Sequence, residues 1–181
     1  MLQHLFKFIL VSTLALGLLA CDAKAPKETM PPEGKALTVY LVRHAEKETG
    51  DDPALTAAGQ ERAAALAQTL GDSTIQAIHS TNYQRTRQTA APLAKSLGLI
   101  VELYDPRDLP AMAQKLQAAG GCHVVVGHSN TTPQLVQLLG GEPGPEIVEA
   151  TEYNRLYVVT RSASGEVQSQ LLRYGPPNPQ E

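Results

Sequence analysis

Tryptophan is absent, and phenylalanine and tyrosine together make up only 4% of the 181 residues, so the core cannot be built around large rings. Leucine, valine, isoleucine and alanine have to fill it. Positive charge is not in excess: 15 Lys and Arg stand against 18 Asp and Glu. That balance speaks against a nucleic-acid partner, which needs a basic face. No block of like charge marks an interaction tail. The chain contains no His-x-His, His-Glu-x-x-His or Cys-x-x-Cys, so no metal is expected and no cofactor is called for. Internal repeats are also lacking. What remains, 43% apolar residues in 181, suits one well-buried domain and is too short for two ordinary ones.

The two cysteines divide the chain's chemistry unequally. Cys21 follows a largely apolar stretch, Leu10 to Ala20, with Lys7 ahead of it. That stretch is too short for an ordinary membrane span but suits the apolar part of a secretory signal. Leu18-Leu19-Ala20-Cys21 resembles a bacterial lipobox, which implies that Cys21 becomes the lipidated first residue. The expectation is an exported lipoprotein, anchored in a bacterial envelope membrane with its domain on the periplasmic face. Cys122 then has no intramolecular disulfide partner. It opens an apolar run and is expected to be a buried thiol.

The sequence divides into a signal peptide over 1–20, a Pro- and Lys-containing tether over 21–35, a domain over 36–174 and a loose tail over 175–181. Within the domain the periodicity alternates. Val39 to Val42 is a short apolar run, as in a strand buried on both faces. Ala63, Leu66, Ala67 and Leu70 have helical spacing, with Thr56 as N-cap and Gly71 past the end. Ile75 to His79 predicts a second strand, and Ala90 to Leu97 a second helix stopped by Gly98. Leu99 to Leu103, Ala111 to Ala119, Val124 to Val126 and Thr132 to Leu139 continue the alternation. Leu156 to Thr160 and Val167 to Leu172 predict an antiparallel hairpin. The expected fold is α/β: a three-layer α/β/α sandwich around a mostly parallel sheet, with that hairpin at its C-terminal end.

Ligands of open α/β sheets bind beyond the carboxyl ends of the strands. Strand one runs into Arg43 and His44, strand two into Ser80 and then Arg85, strand three into Tyr104 and Asp105, and strand four into Gly127, His128, Ser129 and Asn130. Two arginines and two histidines on one rim suit phosphoryl transfer, where catalysis is mostly positioning and placement of positive charge. Arginine grips phosphate through paired donors, and a neutral imidazole can attack phosphorus. Helices beginning near Arg85 and His128 could add amide donors. Arg87 falls elsewhere on its helix and reads as structural; His79 and His123 read as strand-edge residues. Ser129 and Asn130 could cap a helix or touch substrate.

Four ordered elements carry a resemblance. Leu41-Val42-Arg43-His44-Ala45-Glu46 resembles the Arg-His-Gly signature of the histidine phosphatase superfamily, in its phosphoglycerate-mutase-like branch. Leu55-Thr56-Ala57-Ala58-Gly59 is similar to that family's Leu-Thr-x-x-Gly element. Ser80 through Arg85 with Gln88-Thr89-Ala90, and Val126-Gly127-His128-Ser129, resemble the segments of the second arginine and second histidine. The resemblance implies that His44 is the phosphorylated nucleophile, that Arg43 and Arg85 bind phosphate oxygens, and that His128 stabilises the transferring group. Ala45 stands where the family has glycine, with little effect expected. The implied proton donor is an acid between Arg85 and His128: Glu102, Asp105 or Asp108, with Asp105 preferred for its place at a strand end.

The implied activity is hydrolysis of a phosphomonoester or phosphoprotein through phosphohistidine, like the short phosphatases of the family, phosphohistidine phosphatases among them. The alternatives are a phosphoglycerate-mutase-type phosphotransferase and a non-catalytic, lipid-tethered module that binds phosphorylated ligands. The short interval from Arg85 to His128 leaves little room for a mutase lid. Both histidines are present, which favours catalysis over binding alone.

Overall fold

The computed structural model describes residues 34–178. The expected signal peptide, the lipidation site Cys21 and most of the tether lie outside the described residues.

Among the described residues, four strands and four helices alternate and two further strands follow. They are β1 (Leu37–Arg43), α1 (Ala57–Leu70), β2 (Ala77–Ser80), α2 (Gln84–Leu97), β3 (Val101–Leu103), α3 (Leu109–Ala119), β4 (Gly121–Gly127), α4 (Thr131–Leu138), β5 (Arg155–Arg161) and β6 (Val167–Arg173). The sheet order is β3-β2-β4-β1-β5-β6. The first four strands are parallel, and β5 and β6 add an antiparallel pair beside β1. The α/β sandwich expected from the periodicity is the fold observed.

β1 shows why its sequence reads as unbroken apolar residues. Val39 and Leu41 join Met112, Leu116, Leu135 and Val136 of α3 and α4 on one face. Val42 joins Leu66, Leu70, Ala90 and Leu93 of α1 and α2 on the other. Successive strand residues point to opposite faces, so a strand covered on both sides needs apolar residues throughout.

Local chemistry sets the helix ends. Thr56 caps α1, its hydroxyl accepting from the Gly59 amide at 3.1 Å. Gly98 closes α2 at φ +67°, a left-handed conformation suited to glycine. α3 begins two residues earlier than apolar spacing predicts. Asp108 caps it by accepting from Ala111 N, and Pro110 is tolerated in the first turn, where its missing N–H has no helical partner to lose.

Four expectations need correcting. Gly34 and Lys35, read as tether, already bond to the domain through Ala163 O and Ala118 O. The start of the expected loose tail is held: the Tyr174 and Pro176 carbonyls accept from Arg62, and buried Asn178 accepts from the Tyr153 amide at 3.0 Å. Arg62 is itself buried and bidentate on Glu46, so its remaining donor needs carbonyl partners, which the tail supplies. Cys122 is half-buried rather than buried, and burial still raises its thiol pKa. His79 and His123 are not at a strand edge. They stack within the buried interior, with His79 Nε2 and His123 Nδ1 3.1 Å apart.

Candidate active site

Parallel pairing brings four strand ends to one rim. Arg43 of β1 lies opposite Gly127 of β4, and Ser80 of β2 lies opposite both Val126 of β4 and Leu103 of β3. The next residues, His44, Thr81, Tyr104 and His128, follow the four strand ends there. β5 runs the other way, with Leu156 beside Val42, so the segment leading into it arrives at this same rim. That brings Glu152 and Tyr153 to the site, a consequence the strand periodicity alone does not reveal.

His44 is buried, and its Nδ1 lies 2.8 Å from the Ala45 carbonyl oxygen. A carbonyl only accepts, so Nδ1 carries the hydrogen and Nε2 keeps its lone pair. Desolvation, joined by Arg43, His128 and Arg85 and opposed by the Ala45 bond, pulls the pKa of His44 down to about 3. Ala45 is fully buried with Leu55 and Ala63, so its methyl group is accommodated beside His44. Its amide donates to the Thr89 hydroxyl at 3.0 Å.

Arg43 is 1% exposed. Its Nη1 donates to the Glu152 carbonyl at 2.9 Å, while its Nε and Nη2 are buried without a hydrogen-bond partner among the described residues. The Tyr153 ring covers one guanidinium face, its centroid 4.2 Å from Cζ. Arg85, on the first turn of α2, repeats the pattern: Nε is unpartnered and the Tyr83 ring centroid lies 4.5 Å from Cζ. Buried donors without acceptors are rare and costly, and these sit beside an imidazole with an available lone pair.

The rings of His44 and His128 lie 5.6 Å apart. Arg85 Nη2 approaches His128 Nδ1 at 3.5 Å, and Thr81 Oγ1 lies 3.0 Å from Nε2. An arginine only donates, which makes Nδ1 the acceptor and places the hydrogen on Nε2. Desolvation, followed by Arg85 and Arg43, lowers the His128 pKa to about 4. Both histidines rest neutral among two cations, an arrangement that an incoming dianion would relieve. Gly127 leaves no room for a side chain, since a Cβ would stand 2.9 Å from the Thr132 hydroxyl and 3.0 Å from that of Tyr104.

His44, Arg85 and His128 line a cleft of about 710 Å³ with Lys47, Arg107 and Glu149. Arg43 is buried next to His44 and adds no lining surface. A second cleft of about 460 Å³ lies at the opposite end of the sheet, around Leu37, Gly121 and Cys122, away from these groups.

Asp105, the expected proton donor, is not in the His44 cleft. It is exposed and bidentate on Arg107, which does line that cleft and which holds the Asp105 carboxyl down at about 2. Glu102 pairs with Lys115, and Asp108 is the α3 cap. The carboxylates that line the cleft, Glu146 and Glu149, follow His128 in the chain, outside the interval that the family pattern singles out. One amide at each helix start expected to bind anion is engaged: Gln84 N donates to Asp52 Oδ1 at 2.8 Å, and Thr131 N to Asn130 Oδ1 at 2.9 Å. Asn130 is therefore a cap, and Asp52 is a cap the sequence reading missed. Arg87 lies outside the cleft, beside Asp52 and Gln88. Among the described residues, no group of three or more His, Cys, Asp or Glu is arranged to hold a metal.

Residues 39–108 match the sequence pattern of the histidine phosphatase superfamily, branch 1. No protein with a curated description matches the chain by sequence. Solved structures share the fold. The native mycobacterial glucosyl-3-phosphoglycerate phosphatase aligns with a TM-score of 0.60 at 14% identity, covering 79% of this chain and 100% of that one. The protein histidine phosphatase SixA complexed with tungstate aligns with a TM-score of 0.59 at 19% identity, covering 78% and 97%. The mycobacterial phosphatase with inorganic phosphate aligns with a TM-score of 0.54 at 15% identity, covering 77% and 97%.

Proposed function

We propose that the chain is a histidine phosphatase, on the match of residues 39–108 to the superfamily's branch 1, and that it hydrolyses phosphomonoesters through a phosphohistidine formed on His44. The observation that carries this reading is the neutral His44, its Nδ1 hydrogen committed to Ala45 O, beside the unpartnered Nε and Nη2 of buried Arg43. Nε2 attacks phosphorus as the ester P–O bond breaks. Arg43 and Arg85 neutralise the charge on the equatorial oxygens. His128 takes up a proton as the dianion enters and donates it to a phosphoryl oxygen. We assign protonation of the departing alkoxide to Glu149, which lines the cleft and, unlike Glu146, acts on the charge of Arg43. Water then attacks the phosphohistidine, gives its proton to the same carboxylate, and releases inorganic phosphate.

Two further features support hydrolysis of a phosphorylated small molecule or protein. Only β3, α3 and their connections fill the interval before β4, so no lid is built there of the kind a mutase uses to retain its product. Relatives of the same fold hold tungstate and inorganic phosphate. The test is rapid quenching into alkali, where a phosphoramidate survives, followed by peptide mapping. Label should appear on the His44 peptide, vanish in His44→Ala, and form slowly in His128→Ala. Label on the His128 peptide would overturn the assignment.

The proposed location is a bacterial envelope membrane, with the domain held at the periplasmic face by lipid on Cys21. Its support is Leu18-Leu19-Ala20-Cys21 after the apolar stretch. Cys21→Ser should lose lipid labelling and accumulate as precursor.

A further inference from the structure

Each arginine–histidine pair of the site carries its own tyrosine. Tyr153 lies over Arg43 at 4.2 Å and meets the His44 ring with centroids 6.2 Å apart. Tyr83 lies over Arg85 at 4.5 Å and meets the His128 ring edge-on at 5.2 Å. The two tyrosines come from unrelated places, the residue before α2 and the segment before β5, yet build the same arrangement twice.

Both rings stand on pinned backbone. The Tyr83 carbonyl accepts from the Thr86 hydroxyl at 2.9 Å and the Arg87 amide at 3.1 Å. The Tyr153 amide donates to Asn178 Oδ1. Its neighbour Glu152 is gripped by Arg155, with both contacts at 2.7 Å, and by Arg173 at 2.9 Å, while offering its carbonyl to Arg43. A guanidinium is weakly hydrated on its faces and donates in its plane. A ring laid on one face therefore adds cation–π attraction at little desolvation cost and fixes the plane in which the N–H edges point. The donors left without partners, Nε and Nη2 of Arg43 and Nε of Arg85, belong to those edges.

We propose that Tyr153 and Tyr83 are positioning residues, whose rings hold Arg43 and Arg85 with their in-plane donors set for one tetrahedral oxyanion. The role is assigned to the aromatic face, beside which the Tyr153 hydroxyl also interacts favourably with Arg43. The inference rests on the functional reading for the identity of the anion, and its test is an affinity that needs no turnover.

Inorganic phosphate binding to the full-length chain in detergent, measured by calorimetry, is compared across Tyr153→Phe, Tyr153→Leu, Tyr83→Phe and Tyr83→Leu, with the unfolding midpoint of each variant recorded. The Phe variants should bind within about twofold of wild type and the Leu variants about tenfold more weakly, the loss of one partly desolvated cation–π contact. Tyr83 is 38% exposed, so Tyr83→Leu should keep the wild-type midpoint and serve if Tyr153→Leu does not fold. Folded Leu variants with wild-type affinity would overturn the proposal. So would Phe variants as weak as Leu, because the hydroxyl would then be responsible. A wild-type chain that binds phosphate but forms no phosphohistidine would defeat the functional reading and leave this comparison decisive. A wild-type chain that binds no phosphate would overturn the inference.

Discussion

The Nδ1–H of His44 is held by the carbonyl of its own neighbour, Ala45, at 2.8 Å, which commits the lone pair to Nε2 before any substrate arrives. The same burial that makes this bond strong keeps the ring neutral, with a pKa near 3. A nucleophile lowered from 6.5 is competent wherever it is deprotonated, so its activity persists above the lowered value and is lost only below it. The acid limb of kcat/KM set by His44, corrected for substrate ionisation, should therefore lie well below pH 6.5. A limb near 6.5 assigned to the enzyme would show that His44 behaves as a solvated histidine.

A second pH effect concerns stability. His79 is buried and desolvated to a pKa of about 4; Glu102 opposes the shift, while Lys115 and His123 add to it. Its unfolded form titrates near 6.5, so between about pH 6.5 and 4 the unfolded chain binds more protons than the native one. Stability from this group is complete above about pH 6.5 and is lost as pH falls toward 4, to an upper limit of about 3 kcal/mol. His44 and His128 act in the same direction, so the comparison must be with a variant. In urea titrations at pH 7 and pH 4.5, His79→Gln should lose less stability between the two than wild type. Equal losses would remove His79 as a cause.

Arg62 binds Glu46 beside the His44 loop and the carbonyls of Tyr174 and Pro176. Removing one member of a buried ion pair strands the other, at about 3–5 kcal/mol. Arg62→Met should show that loss in urea unfolding. Ending the chain after Tyr174 removes one acceptor from Arg62 and Asn178 from the Tyr153 amide, and should cost about 1–2 kcal/mol. A truncated chain of wild-type stability would mean that residues 175–178 are not held in solution.

Proton donation can be read from the leaving group. An alkoxide needs a proton more than a nitrophenolate does. Glu149→Gln should therefore slow alkyl phosphates about 100-fold or more, within the usual range for general acid catalysis, and aryl phosphates far less. Asp105→Asn should change neither by more than about twofold, because Asp105 is exposed, ionised and paired with Arg107. The reverse pattern would restore Asp105 as the acid.

The sequence by itself determined the alternation of strands and helices, because buried parallel strands and amphipathic helices impose periods that survive without neighbours. It also placed Arg43, His44, Arg85 and His128 at one rim: Arg43 ends a parallel strand, the others follow one, and parallel strands end together. Thr56 and Gly98 were legible as helix boundaries because capping is a short-range bond. What only the tertiary structure decided depends on contacts between distant segments. Tyr153 and Glu152 reach Arg43 because antiparallel β5 starts where β1 ends, and no local pattern encodes that register. Asp105 looked like an acid at a strand end, but Arg107, two residues on, neutralises it in an ion pair that spacing alone does not reveal. Gly175 to Asn178 looked loose by composition, yet a buried arginine on α1 holds the Pro176 carbonyl and the Tyr153 amide holds Asn178 Oδ1. Periodicity reports burial against an average interior; a proton, an ion pair or a stacked ring depends on which atoms that interior places within a few ångströms.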